Sequence, residues 1–325
     1  MSAQSTLSKL SASKPLRRAI PLLFYALLVI FLVLYLHDLD WAKLKHVHVS
    51  WWYVVVASLA GLAARYWQVV VWLNILHNLG ASGLKPHRRH LAYVYAKSWM
   101  GRYIPGTAPW ILGKVYFASK HGIPKEKLGV SSLLEGALEI VTLLVLSFLM
   151  LLSDSRFDVI NGSTRVFMAV AIAVCVIAMV PAVFNRLVSI AYRLLRRKKL
   201  ATEHLASPKT ILSGAGLYVI SSILSGLSLF FIAKCVYLPL SYHDILFVMG
   251  ASNLAGALGM LAIFAPSGIG VREGVQLVLL SALMPKSIAL VIVVVSRLWS
   301  VAMDFAFFSC SRLILQLKPE AKQTS

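Results

Sequence analysis

Long apolar runs, separated by short polar segments, dominate the hydropathy pattern of this 325-residue chain. A helix needs roughly 20 residues to cross about 30 Å of hydrocarbon at about 1.5 Å per residue. Six runs reach or approach that length, and they cover residues 19–36, 52–76, 129–152, 166–184, 211–233 and 287–313. The pattern therefore predicts an all-α polytopic membrane protein with about six transmembrane helices.

Two further apolar regions are interrupted by residues that break helices. Residues 91–119 contain Pro105-Gly106 between two short arms, and residues 243–284 contain the run Pro266–Gly274, with three glycines. Polar, irregular backbone at membrane depth is tolerated where it is buried in protein or lines a wet cavity. We therefore predict two re-entrant helical hairpins with a functional site at their tips. Residues 245–265 are also long enough to span the membrane alone, and that alternative stays open.

The two interrupted regions share a spacing. Nineteen residues separate Pro105 from Pro124, and nineteen separate Pro266 from Pro285, which is a constant offset of 161 positions. A lysine follows the second proline in both cases. The spacing predicts two structural repeats within one membrane domain of residues 19–314, at about residues 52–152 and 211–314.

Composition agrees with a membrane protein. Hydrophobic residues make up 59% of the chain, and the mean hydropathy is +0.78. Charged residues make up 14%, against about a quarter in soluble domains. The net charge of +20 would suggest nucleic acid as the partner of a soluble protein, but the basic residues lie in loops beside apolar runs. We therefore predict contacts with anionic lipid headgroups and no nucleic-acid binding.

The distribution of lysine and arginine predicts the orientation. With a cytoplasmic N-terminus and two returning hairpins, the strongly basic segments all fall on the cytoplasmic side: residues 1–18, 78–92, 120–128, 185–209 and the tail 315–325. The segments with few net positive charges then fall on the other side: residues 37–50, 153–163 and 234–242. The hairpins enter from opposite sides under this topology. The repeats are therefore predicted to be inverted, a plan that transporters use for alternating access to a midplane site.

Other chemistry is sparse in this sequence. Cys175, Cys235 and Cys310 are far apart, without metal or redox spacing. The chain has no Walker motif for ATP. We predict no metal, no cofactor and no enzymatic activity, and the sequence leaves the oligomeric state open.

Three stretches carry a family resemblance: Arg102-Tyr103-Ile104-Pro105-Gly106, the segment around Glu135, and Pro266–Gly274. They resemble the lysylphosphatidylglycerol synthase transmembrane family, also called the flippase-like domain, over about residues 15–315. The resemblance implies translocation of lipids, with modified or glycosylated lipids as cargo. Some members carry a soluble aminoacyl-transferase domain, and we expect a stand-alone form here. Many relatives have an arginine directly after the glutamate, where this chain has Gly136.

Arg272 is the leading candidate for binding an anionic headgroup, because it opens a half-helix whose free N–H groups also attract anions. The alternative is a structural pair with Glu273 or another carboxylate. Glu135 and Glu139 share a helix face and are candidates for ion pairing, for binding a cationic headgroup or for relaying protons. The predicted substrate-binding residues are Arg272, Glu273, Ser267, Gly268, Gly270, Glu135, Glu139, Lys114, Arg102 and Arg297. The predicted gating or structural charges are Arg65, Lys97 and Asp304.

These features predict a flippase or translocase of the bacterial cytoplasmic membrane. Its cargo is expected to be an anionic or modified phospholipid, aminoacylated or glycosylated, or a polyprenyl-phosphate lipid. Two alternatives stay open. One is a membrane-embedded enzyme acting on lipid phosphates or sugars. The other is an accessory subunit whose partner is a lipid-modifying enzyme or glycosyltransferase.

Overall fold

The computed structural model describes residues 50–84, 86–103, 108–154, 162–196, 199–262 and 265–317. These residues form helices and no strands, which confirms the predicted all-α class. The α-helices are α1 Trp51–Asn78, α2 Arg88–Trp99, α3 Ala108–Ala118, α4 Lys125–Leu152, α5 Gly162–Ala178, α6 Pro181–Arg196, α7 Pro208–Val236, α8 Ile245–Leu261, α9 Val271–Leu280 and α10 Lys286–Leu317. Short 3₁₀ turns cover Met100–Tyr103, Ser119–His121, Thr202–His204, Tyr242–Asp244 and Pro266–Gly268. The predicted first span, residues 19–36, lies outside the described residues, as do the N-terminal segment 1–18 and tail residues 318–325.

Helices α1, α4, α7 and α10 are long and apolar enough to cross a membrane, as is α8 together with the turn Tyr242–Asp244 before it. The bent pair α5–α6 adds a sixth candidate. Helices α1 and α7 run antiparallel. Ser228 Oγ donates to the carbonyl of Ala57 at 2.9 Å, and Asn74 Nδ2 donates to Ser213 Oγ at 3.0 Å further along. Gly61 allows this approach, because a Cβ there would lie 2.9 Å from Ser228 Oγ. The first long helix of one predicted repeat is therefore antiparallel to the first long helix of the other.

Helices α2 and α3 form a hairpin. Gly113 faces Ser98, and a Cβ on Gly113 would lie 3.1 Å from Ser98 Oγ. At the open end the rings of His87 and His121 are 5.2 Å apart. The chain thus returns to the end from which it entered. We call α2, α3 and the connection between them the first hairpin.

Helices α8 and α9 form the second hairpin. Val248, near the start of α8, shares a core cluster with Leu280 at the end of α9. At the other end Gly259 approaches Gly268 and Arg272. Helix α9 has 10 residues, about 15 Å of rise, so the return arm is much shorter than a membrane span.

The open ends of the two hairpins lie at opposite ends of α1. Tyr53, in the first turn of α1, is hydrogen-bonded through its hydroxyl to that of Tyr242 at 3.0 Å, just before the second hairpin. Gly80, just after α1, accepts a hydrogen bond from Lys127 Nζ at 2.8 Å, just after the first hairpin. The hairpins therefore enter the helical bundle from opposite ends.

The predicted fourth span and the loop after it have wrong boundaries. The span was expected at residues 166–184, but α5 ends at Ala178 and α6 starts at Pro181 after a bend of 82°. The expected loop at 185–209 is helical as far as Arg196. Proline is favoured in the first turn of a helix, where its missing N–H has no partner to lose. Because the residues around Pro181 are apolar, the hydropathy pattern did not indicate that a new helix, α6, starts there.

Candidate functional site

The interruptions of the two hairpins meet. The turn Met100–Tyr103 contacts the turn Pro266–Gly268. In the second interruption Ser267, Gly268 and Gly270 have φ values of 54°, 69° and 87°. These left-handed residues lie directly before α9, which begins at Val271, and turn the chain into that helix. Glycine adopts this conformation at little cost.

Replacing Gly268 by alanine should destabilise the protein by roughly 2–3 kcal/mol, because its positive φ disfavours a side chain. A Cβ at this position would also lie 2.7 Å from the Gly259 Cα, which is backbone that cannot rotate away. Thermal unfolding in detergent measures the loss. Gly274→Ala is the matched control, because a Cβ at Gly274 meets nothing within 4 Å. Equal melting temperatures for the two variants would contradict this description of the break.

Asp304 joins three elements at this junction. It lies on α10 and is 1% exposed. Arg65 Nε, on α1, donates to its Oδ1 at 2.5 Å, and the hydroxyl of Tyr103 donates to its Oδ2 at 2.6 Å. Arg65 also donates to the carbonyl of Ser300 at 2.7 Å. The carboxylate thus holds the tip of the first hairpin against α1 and α10, which supports the structural or gating role predicted for Arg65 and Asp304.

Glu273 caps α9 and pairs with Arg297. Its Oε2 accepts a hydrogen bond from the N–H of Gly270 at 2.7 Å, and its Oε1 lies 3.3 Å from Arg297 Nε. Arg297 lies on α10, so this contact holds α10 against the start of α9. Arg297 Nη2 is buried without a hydrogen-bond partner among the described residues.

Arg272 lies in the first turn of α9 and is half-buried. Its guanidinium has no hydrogen bond or ion pair with any residue that the structure describes. Arg297, Arg102 and Arg65 all lie within electrostatic range of it. Four guanidinium groups therefore share this junction with two carboxylates, beside the positive end of a helix dipole. Such a site favours an anion. We call these four residues the arginine cluster.

Lys114 and Glu135 form a separate buried ion pair between α3 and α4, and each is at most 1% exposed. The ring of Trp110 lies 3.9 Å from Lys114 Nζ and that of Tyr95 lies 4.8 Å away. The hydroxyl of Tyr95 donates to Glu135 Oε1 at 2.6 Å. Lys114 therefore faces the protein interior, where it forms the kind of ion pair considered for Glu135.

Glu139 lies one turn beyond Glu135 but has different surroundings. Gln68 Nε2, on α1, donates to its Oε1 at 3.0 Å and also lies 3.2 Å from Ser221 Oγ. Glu139 is half-buried, and Arg102 and Lys114 lie within electrostatic range without forming an ion pair with it.

Most of the predicted site residues meet at this junction. Lys97 is exposed on α2 and lies over Phe117, with its Nζ 4.2 Å from the ring centroid. Sequence reasoning missed the roles of two residues. Tyr103 lies in a motif beside the first break, which was the signal that could have identified it. Gln68 is a single amide in an apolar run, which could have identified it as a buried polar residue. The described residues contain no group of three or more His, Cys, Asp or Glu that could hold a metal ion. The residues brought together at or beside the junction are Arg65, Arg102, Ser267, Gly268, Gly270, Arg272, Glu273, Arg297 and Asp304.

Comparison with protein families gives one match over most of the chain. A family model described as the lysylphosphatidylglycerol synthase TM region matches residues 18–307. The comparisons with curated proteins and with solved structures each give no match.

Proposed function

Because this chain belongs to the lysylphosphatidylglycerol synthase transmembrane family, we propose that it moves an anionic lipid between membrane leaflets. The family is membrane-embedded and linked to lipid handling. Under this proposal the cargo is a phospholipid, which can be aminoacylated or glycosylated, or a polyprenyl-phosphate lipid. The protein lies in a bacterial cytoplasmic membrane with both termini in the cytoplasm.

The unpaired positive charge of the arginine cluster carries the proposal. A phosphate that leaves the headgroup region needs donors that replace its water. Among the described residues, Arg272 offers a guanidinium without a hydrogen-bonding or ion-pairing partner, and Arg297 offers a buried Nη2 without a hydrogen-bond partner. Guanidinium groups bind phosphate through paired, charge-assisted hydrogen bonds. Charges buried in a membrane protein are usually functional, and the four guanidinium groups here share only two carboxylates among the described residues, Glu273 and Asp304.

The arrangement of the helices supports alternating access. Each half has the order long helix, hairpin of two helices, long helix. The contacts of one half have counterparts in the other, because α8 packs on α4 and α2 packs on α10. The second hairpin packs extensively on α4 and α7, whereas the first makes fewer contacts with α10 and α1. If the first hairpin took up the extensive packing and the second the looser packing, the arginine cluster would open to the other side of the membrane. Alternation between these two states would give alternating access.

A leaflet-resolved assay tests the function. Proteoliposomes of phosphatidylcholine would carry tail-labelled phosphatidylglycerol in one leaflet, and quenching from outside would follow its movement. We expect movement well above that in protein-free liposomes, and slower movement of tail-labelled phosphatidylcholine. Equal rates with and without protein would contradict the transport function. A chemically altered lipid in the extracts would favour the membrane-embedded enzyme.

A further inference from the structure

Glu139 differs from the other membrane-embedded acids of the described structure. Glu135 pairs with Lys114, Asp304 with Arg65 and Glu273 with Arg297. Glu139 has a neutral amide, Gln68 Nε2, as its hydrogen-bonding partner among the described residues. An ionised carboxylate with so little compensation is costly at membrane depth and gains stability by taking up a proton.

Gln68 can serve both protonation states of this carboxyl group. It is 7% exposed, its Nε2 donates to the carboxylate, and its Oε1 is buried without a partner. Rotation of the side-chain amide would turn Oε1 toward the carboxyl O–H once Glu139 is protonated. Beside Glu139, a Cβ on Gly136 would meet no atom within 4 Å. The helix face one turn before Glu139 is therefore not closely packed against another described part of the protein.

Among the described residues, five titratable groups interact with Glu139. Glu135 lies on the same helix, and Lys114, on α3, is already paired with it. Tyr95 and Tyr218 face it from α2 and α7. Arg102, in the turn that touches the second hairpin, acts on both Glu139 and Arg272. Arg102 therefore links the carboxyl group electrostatically to the arginine cluster.

We propose that Glu139 is a proton-binding site whose protonation is coupled to binding of the anionic headgroup at the arginine cluster. The inference depends on the function proposed above. When Glu139 is ionised, it offsets part of the positive charge of Arg102. A proton from water that forms an O–H bond on the carboxylate removes this offset and strengthens the attraction for phosphate. By linkage, a bound phosphate raises the proton affinity of Glu139 by the same factor. The headgroup would bind at the arginine cluster and a proton at Glu139 on one side of the membrane, and both would be released on the other side. Lipid movement would then be coupled to a pH gradient.

Proteoliposomes with an imposed pH gradient test the coupling. The vesicles contain phosphatidylcholine and tail-labelled phosphatidylglycerol, and the labelled leaflet faces the acidic side. We expect the wild type to move the lipid about tenfold faster than after the gradient is collapsed, a factor consistent with one unit charge acting over roughly 10 Å at an effective dielectric constant of about 20. Glu139→Gln should move the lipid at a rate independent of the gradient, because its neutral amide imitates the protonated acid. Glu126→Gln is the matched control, since Glu126 is exposed at the start of the same helix.

Gradient dependence that persists in Glu139→Gln would overturn the proposal. Replacement of sodium by potassium at constant pH should change nothing, and a loss of coupling would assign the site to sodium instead of a proton. Difference infrared spectra during a pH titration give a readout independent of transport. The carboxylic C=O band should grow at a higher pH when phosphatidylglycerol is present, and Glu139→Gln should remove it. If the protein moves lipid but shows no carboxylic C=O band from Glu139, only the proton site is overturned. If the band appears but no lipid moves, only the transport function is overturned.

Discussion

Replacing Arg272 by alanine should slow lipid movement by roughly 10- to 100-fold while the protein stays folded. Arg272 has no protein partner among the described residues, so its loss leaves no carboxylate unpaired. Charge-assisted hydrogen bonds to phosphate contribute about 1.5–3 kcal/mol each, which corresponds to that range of rates. The leaflet-resolved assay with labelled phosphatidylglycerol measures the effect, and the melting temperature in detergent checks the fold.

Arg193→Ala is the control for this experiment. Arg193 is an exposed arginine on α6, away from the hairpin tips, so its loss should change the rate less than about twofold. Wild-type rates in Arg272→Ala would remove the assigned role of Arg272. A strong loss in both variants would point to net surface charge instead of a site.

Replacing Lys114 by methionine should destabilise the protein by about 3–5 kcal/mol, because it leaves the Glu135 carboxylate buried without its cation. Methionine keeps the length and most of the volume of the side chain, so the cavity contribution stays small. Thermal unfolding in detergent measures the loss, together with the yield of monodisperse protein.

A double variant separates charge from packing. Lys114→Met with Glu135→Met should recover most of the stability, because a well-packed apolar pair is often as stable as a buried ion pair. Lys120→Met is the control, since Lys120 is exposed after the same helix. A double variant no more stable than Lys114→Met alone would show that the contacts of the Lys114 ammonium with aromatic rings, not its pairing with Glu135, stabilise this region.

The sequence predicted the membrane-spanning helices well where the apolar run coincides with one helix. The spans expected at 129–152 and 211–233 lie inside α4 and α7. The break between α5 and α6 escaped notice, because the residues around Pro181 keep the run apolar. A hydropathy profile reports how apolar a segment is, but not where its axis turns.

The pairing of the charges could not be predicted from spacing. Arg65 and Asp304 are 239 residues apart, and only the fold brings them together. Arg297 and Asp304 share a helix face but take different partners, because each faces a different neighbouring helix. Lys114 was expected among the substrate-binding residues, but the packing of α3 on α4 places it in a buried ion pair with Glu135.

The central claim is that the two hairpins enter the membrane from opposite sides and meet at the arginine cluster. Labelling of single cysteines in sealed vesicles tests it most directly, in a background where Cys175, Cys235 and Cys310 are replaced. Lys120→Cys and His243→Cys place exposed thiols at the open ends of the first and second hairpin. We predict that a membrane-impermeant maleimide labels these two positions from opposite sides. Labelling of both from the same side would contradict the account.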